Sequence, residues 1–278
     1  MKIQRKKEQE SFHSKSKKKM QDLKVTLIQT ELYWENPVAN LAMLEEKIAQ
    51  IEEETDLIVL PEMFSTAFSM NTTLAEPMNL TTFKWMKQQA AQTKAVILGS
   101  VMIREGEKVF NRMIWMQPDG QFQTYDKRHL FRMGAEHEFY QSGDEHVIVS
   151  YKGWNLALFV CYDLRFPVWS RNVGMAYDAA IYVANWPAPR ANAWRTLLQA
   201  RAIENLAYVV GVNRVGTDAN NLSYAGDSLL VDFKGGLQLD LQAKDQILTS
   251  ELSAVDLADF RAKFPAHLDA DLFSLSSL

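Results

Sequence analysis

The chain has 278 residues, of which 47% are hydrophobic, and it carries a formal net charge of −4. That length supplies apolar material for a large core, and nothing in it requires more than one domain. No apolar run approaches the roughly 20 residues that span a bilayer, and no apolar segment follows the basic N-terminus. The sequence therefore supports neither membrane insertion nor export, and predicts a cytoplasmic protein.

Charge and cysteine content narrow the possible functions further. Residues 1–19 carry eight Lys or Arg residues against Glu8 and Glu10, a net charge of +6, which leaves −10 on the rest of the chain. An acidic body gives no support to nucleic-acid binding. The basic leader lacks periodic apolar residues and predicts a disordered extension before a single domain that covers residues 20–278, including a C-terminal tail. One cysteine excludes an intrachain disulfide and a cysteine-rich zinc site, which fits a reducing compartment.

The first third of the chain alternates strand and helix patterns. Residues 23–29 alternate apolar and polar side chains and predict a strand. Asn36 and Pro37 then read as the N-cap and first residue of a helix, with apolar residues at helical spacing after them. The next patterns predict a strand, a helix and a strand over residues 57–60, 80–93 and 95–99. This order predicts parallel strands covered by helices.

The rest of the chain adds antiparallel pairs. Residues 109–125 and 146–160 each read as a hairpin around a short turn. A strand, a helix and a further strand are predicted over residues 179–184, 192–205 and 207–213, followed by a hairpin over residues 229–241 and a short amphipathic helix near the C-terminus. No internal repeat or linker interrupts the pattern, so the prediction is one compact α/β domain.

The stretch around Cys161 has the most unusual pattern. Residues 156–160, LALFV, predict a buried strand that ends at this only cysteine. Pro167 is tolerated in the first turn of a helix, so Cys161 is predicted to lie on a strand-to-helix elbow. There the Tyr162 N–H and the positive end of the helix could lower the thiol pKa and bind an oxyanion. By itself, the same residue reads at least as well as a buried structural thiol.

Three charged residues occupy comparable positions at the ends of predicted strands. Glu62 follows the buried run LIVLP at a carboxyl edge, where open α/β sheets bind their ligands. Lys127 follows a hairpin strand, and Glu136 lies nine residues later in the loop. Taken singly, they read as a loop carboxylate, an exposed lysine and a surface charge.

Together, three ordered motifs carry more information than any single residue. They are PE at 61–62, DKRHLF at 126–131 and VCYDLRFP at 160–167. In this order they resemble the nitrilase superfamily of carbon–nitrogen hydrolases, and RAIENLAYVVGVNRVG after the elbow extends the match. The resemblance implies a four-layer α-β-β-α sandwich with Glu62 as general base, Lys127 as electrophilic stabiliser and Cys161 as nucleophile. Glu136, seven residues before Gly143, matches the superfamily's second glutamate.

The motifs CYDLRFPVWSRN and YVANWPAPR resemble the omega-amidase branch more closely. That branch cleaves the terminal amide of 2-oxo dicarboxylic acid monoamides such as 2-oxoglutaramate and 2-oxosuccinamate. Enzymes that act on nitriles typically place Trp-Glu after the cysteine, whereas this chain has Tyr162-Asp163, which counts against nitrile substrates. The resemblance implies an amide substrate, water, a cysteine thioester, no metal or organic cofactor, and a homodimer or larger homo-oligomer.

A substrate with a distal carboxylate requires a cation or clustered donors in its pocket. Arg165, Arg190 and Arg195 are predicted near the mouth, although each reads equally well as a structural ion-pair arginine. Asn185 and Trp186, which end the strand after the elbow, are predicted pocket walls. For Trp186 the alternative is simple core packing.

Other functions stay open at this point. The same superfamily includes other linear-amide and N-carbamoyl hydrolases, and a non-catalytic binding or scaffold protein could retain the fold. A peptidase-like Cys161–His129 pair is conceivable because imidazole commonly activates sulfur. The histidines His129, His137 and His146 lack metal-ligand spacing, so no metal site is predicted.

Overall fold

The computed structural model describes residues 20–271 together with Phe273 and Leu275. The predicted basic extension, residues 1–19, lies outside the described residues. The strands are β1 Leu23–Gln29, β2 Leu57–Val59, β3 Val96–Glu105, β4 Lys108–Met116, β5 Phe122–Asp126, β6 Ile148–Tyr151, β7 Trp154–Val160, β8 Ala179–Val183, β9 Tyr208–Val212, β10 Val215–Thr217, β11 Ser223–Ala225, β12 Leu229–Val231, β13 Leu237–Asp240 and β14 Gln246–Leu252. The α-helices are α1 Pro37–Ala49, α2 Thr81–Thr93, α3 Glu136–Phe139, α4 Ala191–Asn205 and α5 Ala254–Lys263.

Twelve of the strands form two six-stranded sheets, and β10 and β11 form a separate two-stranded sheet. The first has the order β14-β1-β2-β3-β4-β5 and the second the order β13-β12-β9-β8-β7-β6. The central strands β1, β2 and β3 are parallel to one another, as are β7, β8 and β9, whereas the flanking strands are antiparallel. The two sheets therefore have the same arrangement: three central parallel strands whose carboxyl ends lie together at one edge.

Side-chain alternation separates the layers of the molecule. Leu23, Val25 and Leu27 on β1 join a core that includes residues of both sheets. Ile28, which points to the other face of the same strand, packs instead with Leu44 of α1 and its neighbours. Helix α4 covers the outside of the second sheet. The result is the expected α-β-β-α sandwich.

Local signals explain where the covering helices begin and how closely they pack. The Asn36 side chain accepts a hydrogen bond from the Ala39 N–H at 3.1 Å, and Pro37 is the first residue of α1, as predicted. On β9, a Cβ at Gly211 would lie only 2.5 Å from a methyl carbon of Leu198. The absence of that atom lets α4 approach the second sheet closely.

One expectation about the elements was wrong, and one long strand was not predicted. The segment after Cys161 is a short 3₁₀ helix, Cys161–Arg165, and no α-helix begins at Pro167 among the described residues, because a turn and the 3₁₀ helix Val173–Met175 follow it instead. Strand β14, which pairs along the whole of β1, was not predicted, because its half-exposed side chains do not alternate clearly. Within the described part of the chain, none of the helices combines the length and apolarity that a bilayer crossing requires.

Candidate active site

A buried charge cluster lies at the edge of the first sheet where both β2 and β5 end. It consists of Glu62, Asn111, Lys127 and Glu136, all with 0% exposure. The Lys127 ammonium lies 2.8 Å from Glu62 Oε1 and 2.9 Å from Glu136 Oε2, so one cation is shared by two carboxylates. Glu62 and Glu136 lie 65 and nine positions from Lys127 in the sequence, yet all three form one ion-pair network.

The electrostatics of the cluster depend on these contacts. Burial by itself lowers the pKa of Lys127, but the negative charges of Glu136 and Glu62 outweigh it and hold the pKa of the ammonium above its ordinary value. Burial raises the pKa of Glu136, and the nearby Lys127 charge opposes that rise. Lys127 consequently remains a cation at neutral pH.

Asn111 on β4 is a member of the cluster that sequence reasoning missed. Its Nδ2 donates to Glu62 Oε1 at 2.7 Å and to Glu136 Oε1 at 3.1 Å. Its backbone carbonyl also accepts the Lys127 N–H at 3.0 Å. The available signal was a lone asparagine inside the largely apolar strand VFNRMIWM. A buried polar group must find partners, and here its partners are the two carboxylates.

The loop that carries Glu136 is held close to Lys127. The Phe131 N–H donates to Glu136 Oε2 at 2.6 Å, and the Gly143 N–H donates to the Lys127 carbonyl at 3.0 Å. A Cβ at Gly143 would lie 2.3 Å from the Asp126 carbonyl oxygen. Glycine at this position thus permits the two segments to meet.

Cys161 follows β7 directly and has a left-handed backbone conformation, with φ of +45°. Such a conformation is uncommon for a residue with a side chain and occurs often at functional sites. Burial raises the thiol pKa well above its ordinary range, the Glu62 charge raises it further, and the Lys127 charge opposes both. The predicted lowering of this pKa by a following helix is wrong, because burial dominates and only a 3₁₀ turn follows.

Asp163 holds the elbow in place. Its Oδ2 accepts the Val160 N–H at 2.9 Å and the Tyr125 hydroxyl at 2.7 Å, and its Oδ1 accepts the His129 N–H at 3.0 Å. The His129 ring nitrogen Nδ1 lies 2.7 Å from the same Oδ1. No hydrogen bond joins the His129 ring to Cys161 among the described residues, so the contacts give no support to His129 as the partner of Cys161.

The thiol and the predicted substrate residues line one cavity of about 490 Å³. Its wall includes five residues that were predicted to bind substrate: Tyr162, Arg165, Asn185, Trp186 and Arg190. Sequence reasoning missed Glu35 and Asp218, which also line it. The apolar part of the wall comes from Trp34, Phe68, Met70, Phe131, Met133 and Leu222. A largely apolar cavity with a few polar groups suits a small organic molecule.

Asn185 does more than form a wall. Its backbone N–H donates to Glu62 Oε2 at 2.8 Å, and its Nδ2 donates to the Glu62 carbonyl at 2.5 Å. The second sheet thereby holds the carboxylate that the first sheet supplies. This role was not predicted, because the two residues are 123 positions apart.

The three predicted arginines have different environments. The Arg165 guanidinium lies 5.0 Å from the Trp186 ring centre, and that of Arg190 lies 5.3 Å from the Phe131 ring centre. Neither forms an ion pair with any residue that the structure describes. Arg195 is bound to Asp227 at 2.7 Å and to Asp240 at 2.6 Å and does not line the cavity. Its placement at the mouth was wrong, and its structural ion-pair alternative is correct.

Comparison with known proteins decides the family. Residues 24–262 match the family model of the carbon-nitrogen hydrolases. The chain belongs to the carbon–nitrogen hydrolase family. The omega-amidase YafV of Escherichia coli (strain K12) is 46% identical over 257 residues, which are 92% of this chain and 100% of that protein. The 2-oxoglutaramate amidase of Bacillus subtilis (strain 168) is 29% identical over 250 residues, 88% of this chain and 96% of that protein.

A solved structure agrees with this assignment. XC1258 from Xanthomonas campestris, a CN-hydrolase superfamily protein with an arsenic adduct in its active site, is 46% identical and superposes with a TM-score of 0.91. The match covers 92% of this chain and 100% of that one. The resemblance to the nitrilase superfamily and its omega-amidase branch is therefore confirmed, as is the fold class. The roles of individual residues in this carbon–nitrogen hydrolase stay predictions.

Proposed function

We propose that the protein is an omega-amidase, which cleaves the terminal amide of 2-oxoglutaramate and 2-oxosuccinamate to the acid and ammonia through a thioester at Cys161. The observation that carries this proposal is the buried charge cluster beside the only thiol. That thiol lines a cavity with two arginines that have no ion-pair partner in the described chain. The omega-amidase and 2-oxoglutaramate amidase names of its relatives support the same substrate class.

The first half of the reaction acylates Cys161. Because burial keeps the thiol protonated, Glu62 takes its proton as the sulfur attacks the carbonyl carbon. The new S–C bond pushes the carbonyl π electrons onto oxygen. The Lys127 ammonium and the Tyr162 N–H stabilise that oxyanion, and each such donor is typically worth about 2.7–4 kcal/mol. Glu62 then gives its proton to nitrogen as the C–N bond breaks and ammonia leaves.

The second half hydrolyses the thioester. Glu62 takes a proton from water, the hydroxide oxygen attacks the acyl carbon, and the C–S bond breaks. The sulfur recovers the proton from Glu62 as the acid product forms. One carboxylate therefore acts as base and acid twice, which requires that it stay in place while its charge changes. Asn111 and Asn185 hold both of its oxygens, and Glu136 keeps Lys127 oriented through its two contacts.

The cavity charges favour a substrate that carries a carboxylate. The exposed Arg165 and the partly buried Arg190 have planar donor groups over aromatic rings, and such groups bind carboxylates through paired hydrogen bonds. The oxygens of Asp218 accept hydrogen bonds from the Asn220 and Leu222 N–H groups and from the Tyr224 hydroxyl. The Glu35 carboxylate accepts hydrogen bonds from the Ser69 hydroxyl and from Asn71 Nδ2. Both carboxylates are thereby engaged by neighbouring donors, which leaves the cations for a ligand.

The test is ammonia release from a panel of 2-oxoglutaramate, 2-oxosuccinamate, an N-carbamoyl amino acid and an uncharged amide of similar length. We expect the highest kcat/KM with the two 2-oxo acid monoamides, and an acyl adduct on Cys161 by intact-protein mass spectrometry. The Cys161→Ala variant, the control, should release no ammonia. A higher kcat/KM with the N-carbamoyl compound would favour a different amide hydrolase, and no turnover of any compound would favour a binding protein.

We also propose that residues 1–19 are an extension outside the catalytic domain, and that the protein acts in the cytoplasm as a homodimer or larger homo-oligomer. The single cysteine fits a reducing compartment. Large apolar side chains near the C-terminus, among them Phe264 and Leu268, are 55% and 75% exposed, which supports contact between copies of the chain.

A further inference from the structure

The Asn185 side chain contains a buried acceptor that no donor of the described chain reaches. Only 4% of the residue is exposed, and it forms part of the cavity wall. Its N–H and its Nδ2 are both committed to Glu62. Its Oδ1 is shielded from solvent and accepts no hydrogen bond from any described residue. Native proteins rarely leave such an atom unpaired. Among the buried side-chain atoms that are unpaired in the described chain, this one alone belongs to a residue that lines the cavity.

The position of Asn185 indicates which donor would pair with this acceptor. It is bonded directly to the carboxylate that must give a proton to the leaving nitrogen, and it shares the cavity wall with the Cys161 thiol. The amide nitrogen must therefore lie beside Asn185 during the reaction. A primary amide carries two N–H donors on that nitrogen, whereas the corresponding atom of an ester carries none.

We propose that Asn185 Oδ1 accepts an N–H of the scissile primary amide and thereby makes the site selective for amides over esters. This inference rests on the proposed amidase function and adds a specificity residue to it. In the tetrahedral intermediate the C–N bond has lost its partial double-bond character, and the hydrogen bond then fixes the rotation of the –NH₂ group about it. The lone pair of the substrate nitrogen then faces the proton held by Glu62. The hydrogen bond to Asn185 persists while ammonia departs.

Asn111 provides a matched control inside the same site. It is also a buried asparagine whose Nδ2 donates to Glu62 and whose Oδ1 accepts no hydrogen bond from the described chain. Unlike Asn185, it is not among the residues that line the cavity. Replacing Asn111 therefore perturbs the Glu62 carboxylate but changes no residue that lines the cavity.

The experiment compares kcat/KM for succinamate and for monomethyl succinate, which differ only in –NH₂ against –OCH₃. Because kcat/KM covers the steps up to acylation, it reports the interaction with the leaving group. We expect Asn185→Leu to lower the amide-to-ester ratio by about 10- to 100-fold. Asn185→Ala, which leaves more space, should shift the ratio in the same direction. Asn111→Leu should lower both rates but change their ratio by less than about threefold.

Continued ester hydrolysis shows that Cys161 and Glu62 remain correctly placed in the variants. Equal losses on the amide and the ester in both Asn185 variants would overturn the inference and leave Asn185 as a structural support for Glu62. A wild-type protein that hydrolyses neither the amide nor the ester would instead overturn the proposed function. The two failures are thus distinguishable.

Discussion

The buried charge cluster and the mouth of the neighbouring cavity differ in how their charges are balanced. In the cluster, Lys127 is fully buried and its charge is matched by Glu62 and Glu136 at hydrogen-bond distance. At the mouth, Arg165 and Arg190 lie over aromatic rings and have no ion-pair partner in the described chain. Buried charges hold one another in place, because separating them would leave an uncompensated charge in the interior. Cations near solvent that have no such partner are available to a ligand. The cluster is therefore suited to chemistry and the mouth to substrate selection.

The largest expected effect comes from removing the central cation of the cluster. In Lys127→Met, two buried carboxylates lose their counter-charge, so we expect the free energy of unfolding to fall by about 3–5 kcal/mol. Amide turnover should fall by about 10²- to 10³-fold, because an oxyanion donor is lost. The destabilisation should shrink as pH falls, because protonation removes the buried negative charge. Chemical denaturation at several pH values measures it.

An ion pair near the surface is the control for this variant. Lys152 bonds to Asp56 with its side chain 40% exposed, so Lys152→Met should change the free energy of unfolding by less than about 1 kcal/mol. Equal destabilisation by the two substitutions would show that the buried ion pairs of Lys127 contribute no more to stability than an exposed one.

A smaller and more selective effect is expected at the mouth. In Arg190→Leu, loss of a charge-assisted hydrogen bond should lower kcat/KM for 2-oxoglutaramate by about 10- to 100-fold. An uncharged amide of similar length should be affected little, and the unfolding transition should stay unchanged. Arg195→Leu serves as the control, since Arg195 is occupied by Asp227 and Asp240 outside the cavity and should leave selectivity unchanged. Equal losses on both substrates would argue against an anion site at Arg190.

The smallest expected signal concerns the thiol between the two regions. Because burial raises the pKa of Cys161, its sulfur should remain protonated up to about pH 9 in the free protein. The ultraviolet absorbance difference between wild type and Cys161→Ser measures this cleanly, since the chain has a single cysteine. We expect no thiolate signal between about pH 6 and pH 9. A thiolate that appears near neutral pH would contradict proton transfer to Glu62 during attack.

The sequence by itself determined most of the scaffold. Apolar alternation predicted β1 with the bounds that the structure has, and the Asn36-Pro37 start signal predicted the first residue of α1. The predicted helical spacing continued to Ile51, whereas α1 ends at Ala49. Those signals are local, because alternation and capping depend on neighbours within a few residues. Three short motifs also placed Glu62, Lys127 and Cys161 at strand ends. Strand β14 escaped prediction because its pairing with β1 spans more than 200 residues and its own side chains do not alternate clearly.

Only the tertiary structure decided how those residues are held and what surrounds them. Asn111 and Asn185 look ordinary in the sequence. Asn111 bonds to Glu62 from another strand of the same sheet, and Asn185 bonds to it from the second sheet. The tertiary structure also separated Arg195 from the two cavity arginines, and showed that burial raises the Cys161 pKa. Hydrogen bonding, ion pairing and desolvation are set by which groups meet in space. A local pattern can therefore place a residue at a strand end but cannot supply its partners.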